Sequence, residues 1–455
     1  MCYLFDEYEG YNDNYYLYDT CKNMLLRISK KHFVIINDLL QNETNFDFIQ
    51  NDSKENVEIS MLYRRGFFQS NLIDRIENPH SDYIEGLLSG GMNDLVLQVT
   101  QKCNFNCRYC LYSGKEEIER THTNTNMNRD VAFKAVDYLA KHSYDSPTIH
   151  ISFYGGEPLL NMELIYAVTN YVKTKFFSKR IEFSLTTNGS LLNNEVLSFF
   201  EKNDFKVSIS LDGPKEVQDK HRRARNGVDG TYLIVYSNLQ IIKKTFPDFY
   251  KHNLLFLPVI IDDEDYSIVK EYFSEEGIAP DRITPLKANL NGIDYYLSAS
   301  NINNSSLKFT NVDSGGINEP AFENLYRVYK DKTTLPRIWH HNGQCIPGIQ
   351  RLFVDVDGFF YPCEKIIENE GFRIGSIYDG INYEKAYQFA NVGKLSEKEC
   401  KHCWAMRFCE LCISQCIDCE SKDISSEVKR RVCESQKEKA LWTFKKIIDK
   451  DELNR

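Results

Sequence analysis

Three cysteines, Cys103, Cys107 and Cys110, stand in the run Val-Thr-Gln-Lys-Cys-Asn-Phe-Asn-Cys-Arg-Tyr-Cys. The spacing C-x3-C-x2-C offers three thiolates, one fewer than a closed [4Fe-4S] cube requires. A cube held this way keeps one iron open to another ligand. Lys102 and Arg108 beside the triplet favour the deprotonated, metal-binding form of the thiols. A zinc knuckle is the competing reading, but zinc sites ordinarily bring a fourth ligand and paired C-x2-C units.

A second group of cysteines lies far downstream. The chain has 14 cysteines, nine of them between Cys345 and Cys433. Cys345 and Cys363 flank Gly358. Cys400, Cys403, Cys409, Cys412, Cys416 and Cys419 then follow closely, and Cys433 comes after a gap. Clustering of this kind favours metal ligation over disulfides. C-x2-C pairs serve zinc as readily as iron–sulfur clusters, so spacing alone leaves a zinc ribbon open.

The elements that must position these residues show in the hydrophobic pattern. Apolar runs at Leu95–Thr100, Ile149–Phe153, Ile181–Thr186, Val207–Leu211, Leu254–Ile260 and Ile283–Leu286 read as strands. Helical patterns separate them. Asn128 caps one, with Val131, Ala132, Ala135, Val136 and Leu139 on one face. Pro158 opens another, with Leu164, Ile165, Val168, Tyr171 and Val172 inward. Six β-α units imply parallel strands with right-handed crossovers, and six fall short of a closed eight-stranded barrel. The expected fold is α/β: a partial, open (β/α)6 TIM-like barrel. The Cys103 triplet then falls after the first strand, at the end where barrel enzymes do their chemistry.

Ahead of the barrel, Tyr3–Tyr8 and Tyr15–Thr20 read as a hairpin, and Lys31–Leu40 and Val57–Phe68 as helices. The expected division is 1–90, a winged-helix-like module; 91–289, the barrel; 290–344, a bridge with a helix near Glu323–Tyr329; and 345–455, the cysteine-rich domain. In the last, Asp357-Gly358 reads as a hairpin turn that draws the Cys345 and Cys363 segments together, and Ser435–Lys450 as a closing helix.

Composition sets the outer limits. Over 455 residues the chain is 42% hydrophobic and 26% charged, as in globular proteins. Its net charge of −10 argues against nucleic acid as a partner, because phosphate contacts need clustered Lys and Arg. No run of 18 apolar residues and no secretory signal is expected, which points to a cytoplasmic protein away from the membrane.

The barrel triplet resembles the signature of radical S-adenosylmethionine enzymes, and later motifs agree. Tyr154-Gly155-Gly156-Glu157-Pro158 looks like the family's glycine-rich segment for the methionyl amino group. Two glycines permit close backbone approach, and carbonyls with Glu157 can accept from an ammonium. Thr186-Thr187-Asn188-Gly189 and Ser210-Leu211-Asp212-Gly213-Pro214 resemble the family's next strand ends. The resemblance implies that Tyr109, Asn188, Ser210 and Arg222 join the cofactor site, Ser210 and Arg222 toward the carboxylate, for which a planar guanidinium is suited. It also implies that one-electron cleavage of S-adenosylmethionine yields a 5′-deoxyadenosyl radical that takes a hydrogen atom from substrate.

The downstream cysteines resemble the SPASM extension, which holds two auxiliary [4Fe-4S] clusters and would bring the total to three. By resemblance the first takes Cys345, Cys363 and Cys416 or Cys412; the second takes Cys400, Cys403, Cys409 and Cys433. Ile413 stands where the pattern has cysteine, so the parts of Cys412 and Cys419 stay open. Cys110-Leu-Tyr112-Ser113-Gly114 and Arg120-Thr-His122 look like thioether-forming maturases of the sactipeptide and ranthipeptide type. That implies a Cys-rich precursor peptide whose leader adds a strand to the N-terminal module, and an electron donor of flavodoxin or ferredoxin type. The alternatives are other SPASM chemistry: carbon–carbon crosslinking of side chains, or oxidation of a sulfatase cysteine.

Overall fold

The computed structural model describes residues 2–6, 14–42, 46, 53–69, 73–110, 122–226, 229–262, 264–279, 282–283, 286–287, 319–341, 346–366, 368–418 and 420–453. Most of the expected bridge, Cys345, Cys419 and the Tyr112–Gly114 motif lie outside these residues.

Five parallel strands follow one another in the central sheet: Asp94–Thr100, Thr148–Gly155, Arg180–Thr187, Lys206–Ile209 and Leu254–Phe256. Leu95, Leu97, Ile151, Phe153, Phe183, Leu185, Val207 and Ile209 face the helical layer and are buried. The opposite face alternates in Gln98, Ser152, Tyr154, Ser184, Thr186 and Ser208, and the Ser152 and Ser184 hydroxyls are 2.7 Å apart. This period-2 split marks a sheet packed on one side and lined with polar groups on the other. The expected fifth strand breaks at Leu257-Pro258. Beyond it, Val259–Ile260 pairs in parallel with Leu286–Lys287, and Phe256 bridges to Ile283. The sixth unit is therefore present but short.

The connecting helices form as their caps dictate. The Asn128 side chain accepts from Asp130 N at the start of Arg129–Lys141, and Ala132, Ala135, Val136 and Leu139 are buried beneath it. Glu157 and Pro158 open a 3-10 turn that runs into Met162–Lys175. Tyr171, expected inward, is half-buried; its ring stacks on Phe133 and its hydroxyl donates to Asp137.

The central sheet does not stop at the first barrel strand. Leu352–Val354 adds in parallel to the free edge of Asp94–Thr100, and Phe359–Tyr361, Gly375–Ser376 and Gly380–Ile381 continue it antiparallel. Among the described residues the sheet thus has nine strands. The cysteine-rich block grows directly out of the barrel. Its hairpin turns at Asp355–Gly358, where Asp355 Oδ1 accepts from Asp357 N and Phe359 N and Gly358 has φ +91°. The closing helix is longer than expected, Ser426–Leu453, and so contains Cys433.

The N-terminal module is a three-stranded antiparallel sheet with two helices, Lys30–Gln41 and Lys54–Arg64. Cys2–Asp6 pairs with Tyr15–Asp19 as the hairpin reading expects. Met24–Ile28 adds a third strand, after a turn that Asn23 makes with φ +51°. The module is anchored to the cysteine-rich block. Tyr3 stacks on Trp404 with ring centroids 3.9 Å apart, and Tyr18 packs on Phe444 and Phe408. Asn23 Nδ2 donates to Val328 O and Asp331 O, and Arg407 Nε donates to Thr20 O. Among the described residues no helix is long and apolar enough to cross a membrane.

Candidate functional site

Cys103, Cys107 and Cys110 lie in the loop that leaves the first barrel strand, with Cys103 and Cys107 buried and Cys110 half-buried. The loop is pinned from two sides. Gly156 N donates to Thr100 O at 2.9 Å and Glu157 N donates to Lys102 O at 2.8 Å. A Cβ on Gly156 would stand 2.2 Å from Lys102 O, and one on Gly155 2.0 Å from Thr100 O. Only glycine admits this approach, so the Gly-Gly pair seats the cysteine loop on the second strand. From the third strand, Asn188 Nδ2 donates to Asn104 Oδ1 at 2.9 Å, and Asn104 Nδ2 donates to Ser190 Oγ at 2.8 Å.

Glu157 sits at the end of the second strand, next to the glycine pair. It is fully buried, and its carboxylate accepts from Thr187 Oγ1 at 2.7 Å, Asn188 N at 2.7 Å and Leu159 N at 3.1 Å. Burial pushes its carboxyl up to about 7. The carboxylate thereby ties the turn after the second strand to the end of the third.

The fourth strand end supplies a network that the sequence reading passed over. Asp212, 1% exposed, accepts from Tyr109 Oη at 2.6 Å through Oδ2 and from Val259 N at 2.9 Å through Oδ1, and Oδ2 forms an ion pair with the Arg222 guanidinium, 3.0 Å from Nε. The Arg222 guanidinium lies over the Tyr109 ring, 5.2 Å from its centroid, and Nη1 approaches Cys107 Sγ at 3.9 Å. Gln218 supports the arrangement by accepting from Asp212 N and donating to Thr231, whose hydroxyl donates to Arg222 O. Asp212 was legible only as part of the Ser210–Pro214 strand end, which carries no sign of a buried counter-ion. Ser210 is half-buried beside this network, and its amide donates to Thr187 O.

The charges that act on the thiols are also not the expected ones. Burial raises all the resolved shifts, Cys103 to about 12 and Cys107 further. The cation that opposes burial is Arg222, not Lys102 or Arg108. The physical reason is distance through space: adjacency along a loop does not set where a charge lies, and Arg222 is carried to within 3.9 Å of Cys107 Sγ from another element. Such thiols stay protonated until a cation replaces their protons, which is the donor chemistry of a metal-bound cysteine loop.

In the C-terminal block, Cys400, Cys403, Cys409 and Cys433 act electrostatically on one another. Cys400 lies in the Glu397–Lys401 helix, Cys403 N donates to Cys400 O, and Cys433 comes from the closing helix. Cys416 is fully buried and acts with Cys412, Cys433 and Cys400, while Cys412 Sγ accepts from Ser414 Oγ. Cys363 follows the Phe359–Tyr361 strand and is buried. The donor set is all sulfur and largely buried, which fits iron–sulfur clusters.

Comparison with known proteins agrees with this geometry. Residues 97–271 match the radical SAM superfamily. An uncharacterised protein of Methanocaldococcus jannaschii is 31% identical over 204 residues, 43% of this chain and 65% of that protein. The chain thus spans just under two thirds of that relative. The cysteine-type anaerobic sulfatase-maturating enzyme of Clostridium perfringens is 24% identical over 375 residues, 78% of this chain and 97% of that enzyme. The radical SAM cyclopropyl synthase TigE of Paramaledivibacter caminithermalis is 29% identical over 211 residues, 44% of this chain and 43% of that enzyme. A solved structure of native anSMEcpe with bound AdoMet superimposes with a TM-score of 0.56 at 23% identity, covering 79% of this chain and 98% of that one. The chain carries a radical SAM domain on the mixed α/β fold of these enzymes.

Proposed function

From that premise, we propose that the chain is a radical SAM maturase that installs thioether crosslinks between cysteine sulfurs and carbons of a ribosomally made, Cys-rich precursor peptide. The observation that carries the enzymatic reading is the Cys103 loop, clamped by Gly155-Gly156 and faced by Arg222 at the C-terminal ends of the strands. Cys103, Cys107 and Cys110 would hold one [4Fe-4S] cluster. Cys400, Cys403, Cys409 and Cys433 would hold a second, and Cys345 and Cys363 with Cys416 or Cys412 a third. When bound, the barrel cluster and S-adenosylmethionine supply one-electron cleavage of a sulfonium and abstraction of a hydrogen atom from carbon.

The chain's own residues do the rest. The glycine backbone at Gly155-Gly156 approaches the methionyl amino group, and Glu157 keeps that turn in place. Arg222 offers its remaining N–H groups to the carboxylate while Asp212 and Tyr109 fix its plane. Asn188 and Ser210 line the neighbouring strand ends. The polar face of Ser152, Ser184, Thr186 and Ser208 offers hydrogen-bonding partners that suit a peptide better than an apolar ligand.

Two observations support a peptide with a leader. The sulfatase-maturating relative is covered over 97% of its length but accounts for only 78% of this chain, which leaves room for an added recognition element. The N-terminal sheet has the shape for it: Met24–Ile28 pairs on one side only among the described residues, and an open strand edge can receive an extended peptide. The likeness to a cysteine-type sulfatase-maturating enzyme favours a second reading, oxidation of a protein cysteine without a crosslink.

Co-expression with a neighbouring Cys-rich open reading frame, followed by peptide mass analysis, tests the proposal. Loss of two hydrogens per bond with disappearance of free thiols is expected. A cysteine altered with no link between residues supports the second reading and rejects the first. Reduced holoenzyme that does not cleave S-adenosylmethionine rejects both.

A further inference from the structure

Lys429 is fully buried in the closing helix, and among the described residues no carboxylate is paired with it. Its ammonium meets Ser396 Oγ and, at 3.2 Å, Cys400 Sγ. A buried ammonium with no counter-ion is costly and needs negative charge nearby. Among the described residues, Lys429 meets cysteine sulfur at close range, and the exposed Glu399 carboxylate acts on it from farther off without pairing with it. Lys429 opposes burial at Cys416 and Cys433, and one turn along the same helix Cys433 Sγ donates to Lys429 O.

A second donor reaches the same sulfur from elsewhere. His341 is buried, and its Nε2 lies 3.3 Å from Cys400 Sγ. It follows the short Ile338–Trp339 strand, which is held in parallel by Arg75–Ile76. An imidazole carries a proton on at least one ring nitrogen, and the tautomer with that proton on Nε2 donates to the sulfur. Ser396 Oγ stands 3.4 Å from Cys400 Sγ. Two segments distant in sequence, together with Ser396 at the start of the helix that carries Cys400, therefore converge on one sulfur. That suits a thiolate, which accepts hydrogen bonds from several directions, better than a thiol.

We propose that Lys429 and His341 are positioning residues for an iron–sulfur cluster held by Cys400, Cys403, Cys409 and Cys433, and that their donors on Cys400 raise that cluster's reduction potential. The inference rests on the cluster assignment made above. Its physical basis is that hydrogen bonds to ligating sulfur and nearby positive charge stabilise the more negative, reduced state. The sequence hides both residues, because each is a lone polar side chain outside the cysteine spacing.

The test uses the full chain, reconstituted anaerobically, as wild type and as Lys429→Met, Lys429→Arg and His341→Leu. Iron and sulfide are counted, and each cluster is titrated with dithionite and mediators while its electron paramagnetic resonance is followed. One electron from dithionite reduces the cluster in each case. Lys429→Met is expected to keep its iron and to lower the equilibrium constant for reduction of one cluster at least tenfold, 59 mV for a one-electron couple. Lys429→Arg is expected to restore most of that loss, and His341→Leu to lower the potential of the same cluster. Unchanged potentials at full iron content overturn the inference and leave the cluster intact. Equal loss of iron in Lys429→Met and Lys429→Arg also overturns it, by showing a scaffold role alone. If wild type has no cluster signal that Cys409→Ala removes, the assignment itself falls.

Discussion

Removing Asp212 tests whether the barrel site is organised around one buried ion pair. Asp212 and Arg222 are 1% and 6% exposed and meet at 3.0 Å. At an effective dielectric of about 20, unit charges at that distance attract by about 5–6 kcal/mol before desolvation is subtracted. Deleting one partner leaves the other charge uncompensated, which costs about 3–5 kcal/mol. The two deletions are unequal. Among the described residues, Asp212→Ala leaves the Arg222 guanidinium against Cys107 Sγ and the Tyr109 ring, with the Glu157 carboxylate acting on it without an ion pair. Arg222→Leu leaves the carboxylate with the Tyr109 hydroxyl and the Val259 amide still donating. Asp212→Ala is therefore expected to be the more destabilising, and the double variant Asp212→Ala/Arg222→Leu to lose at least about 2 kcal/mol less than the sum of the singles. The assay is urea unfolding of reduced, metal-free protein, followed by circular dichroism, so that cluster loss does not enter. Additive single effects, or Arg222→Leu as the worse variant, would refute the ion-pair reasoning.

Further outcomes follow from other contacts. Gly156→Ala drives a Cβ to 2.2 Å from Lys102 O, so it should displace the Cys103 loop; iron analysis should show the barrel cluster depleted and S-adenosylmethionine cleavage down at least tenfold. Phe444 is fully buried between Tyr18, Phe408 and Phe5, and Phe444→Ala should cost about 3–5 kcal/mol and release the N-terminal sheet to limited proteolysis. Asp355 is pushed by burial from 3.8 up to about 6, so the folded state binds more protons than the unfolded chain between those values. Stability from this group is thus full below about pH 4 and falls as pH rises toward 6, by roughly 3 kcal/mol at about 1.4 kcal/mol per unit. Asp355→Asn, which keeps the Oδ1 acceptor for Phe359 N, should flatten that slope in unfolding measured across pH 3–8.

What could be read from the chain, and what could not, divides by the range of the interaction. The alternation of apolar strands with capped helices is local, so the parallel barrel order and the faces of Arg129–Lys141 and Met162–Lys175 were legible from residues a few positions apart. The cysteine triplet was legible because its ligands share one loop. The break at Leu257-Pro258 and the hydrogen-bond partners of Glu157 were not, because each depends on what another element places beside it.

By itself, the sequence determined the donor chemistry, three thiols after a buried strand with a sulfur-rich block downstream, because spacing along a chain sets which atoms one loop can present. Only the tertiary structure decided which charges meet those sulfurs: Arg222 with Asp212 at Cys107, and Lys429 with His341 at Cys400. Coulomb forces and hydrogen bonds depend on distance through space. Lys102 and Arg108, adjacent in sequence, prove less important to the thiols than Arg222, more than a hundred positions away.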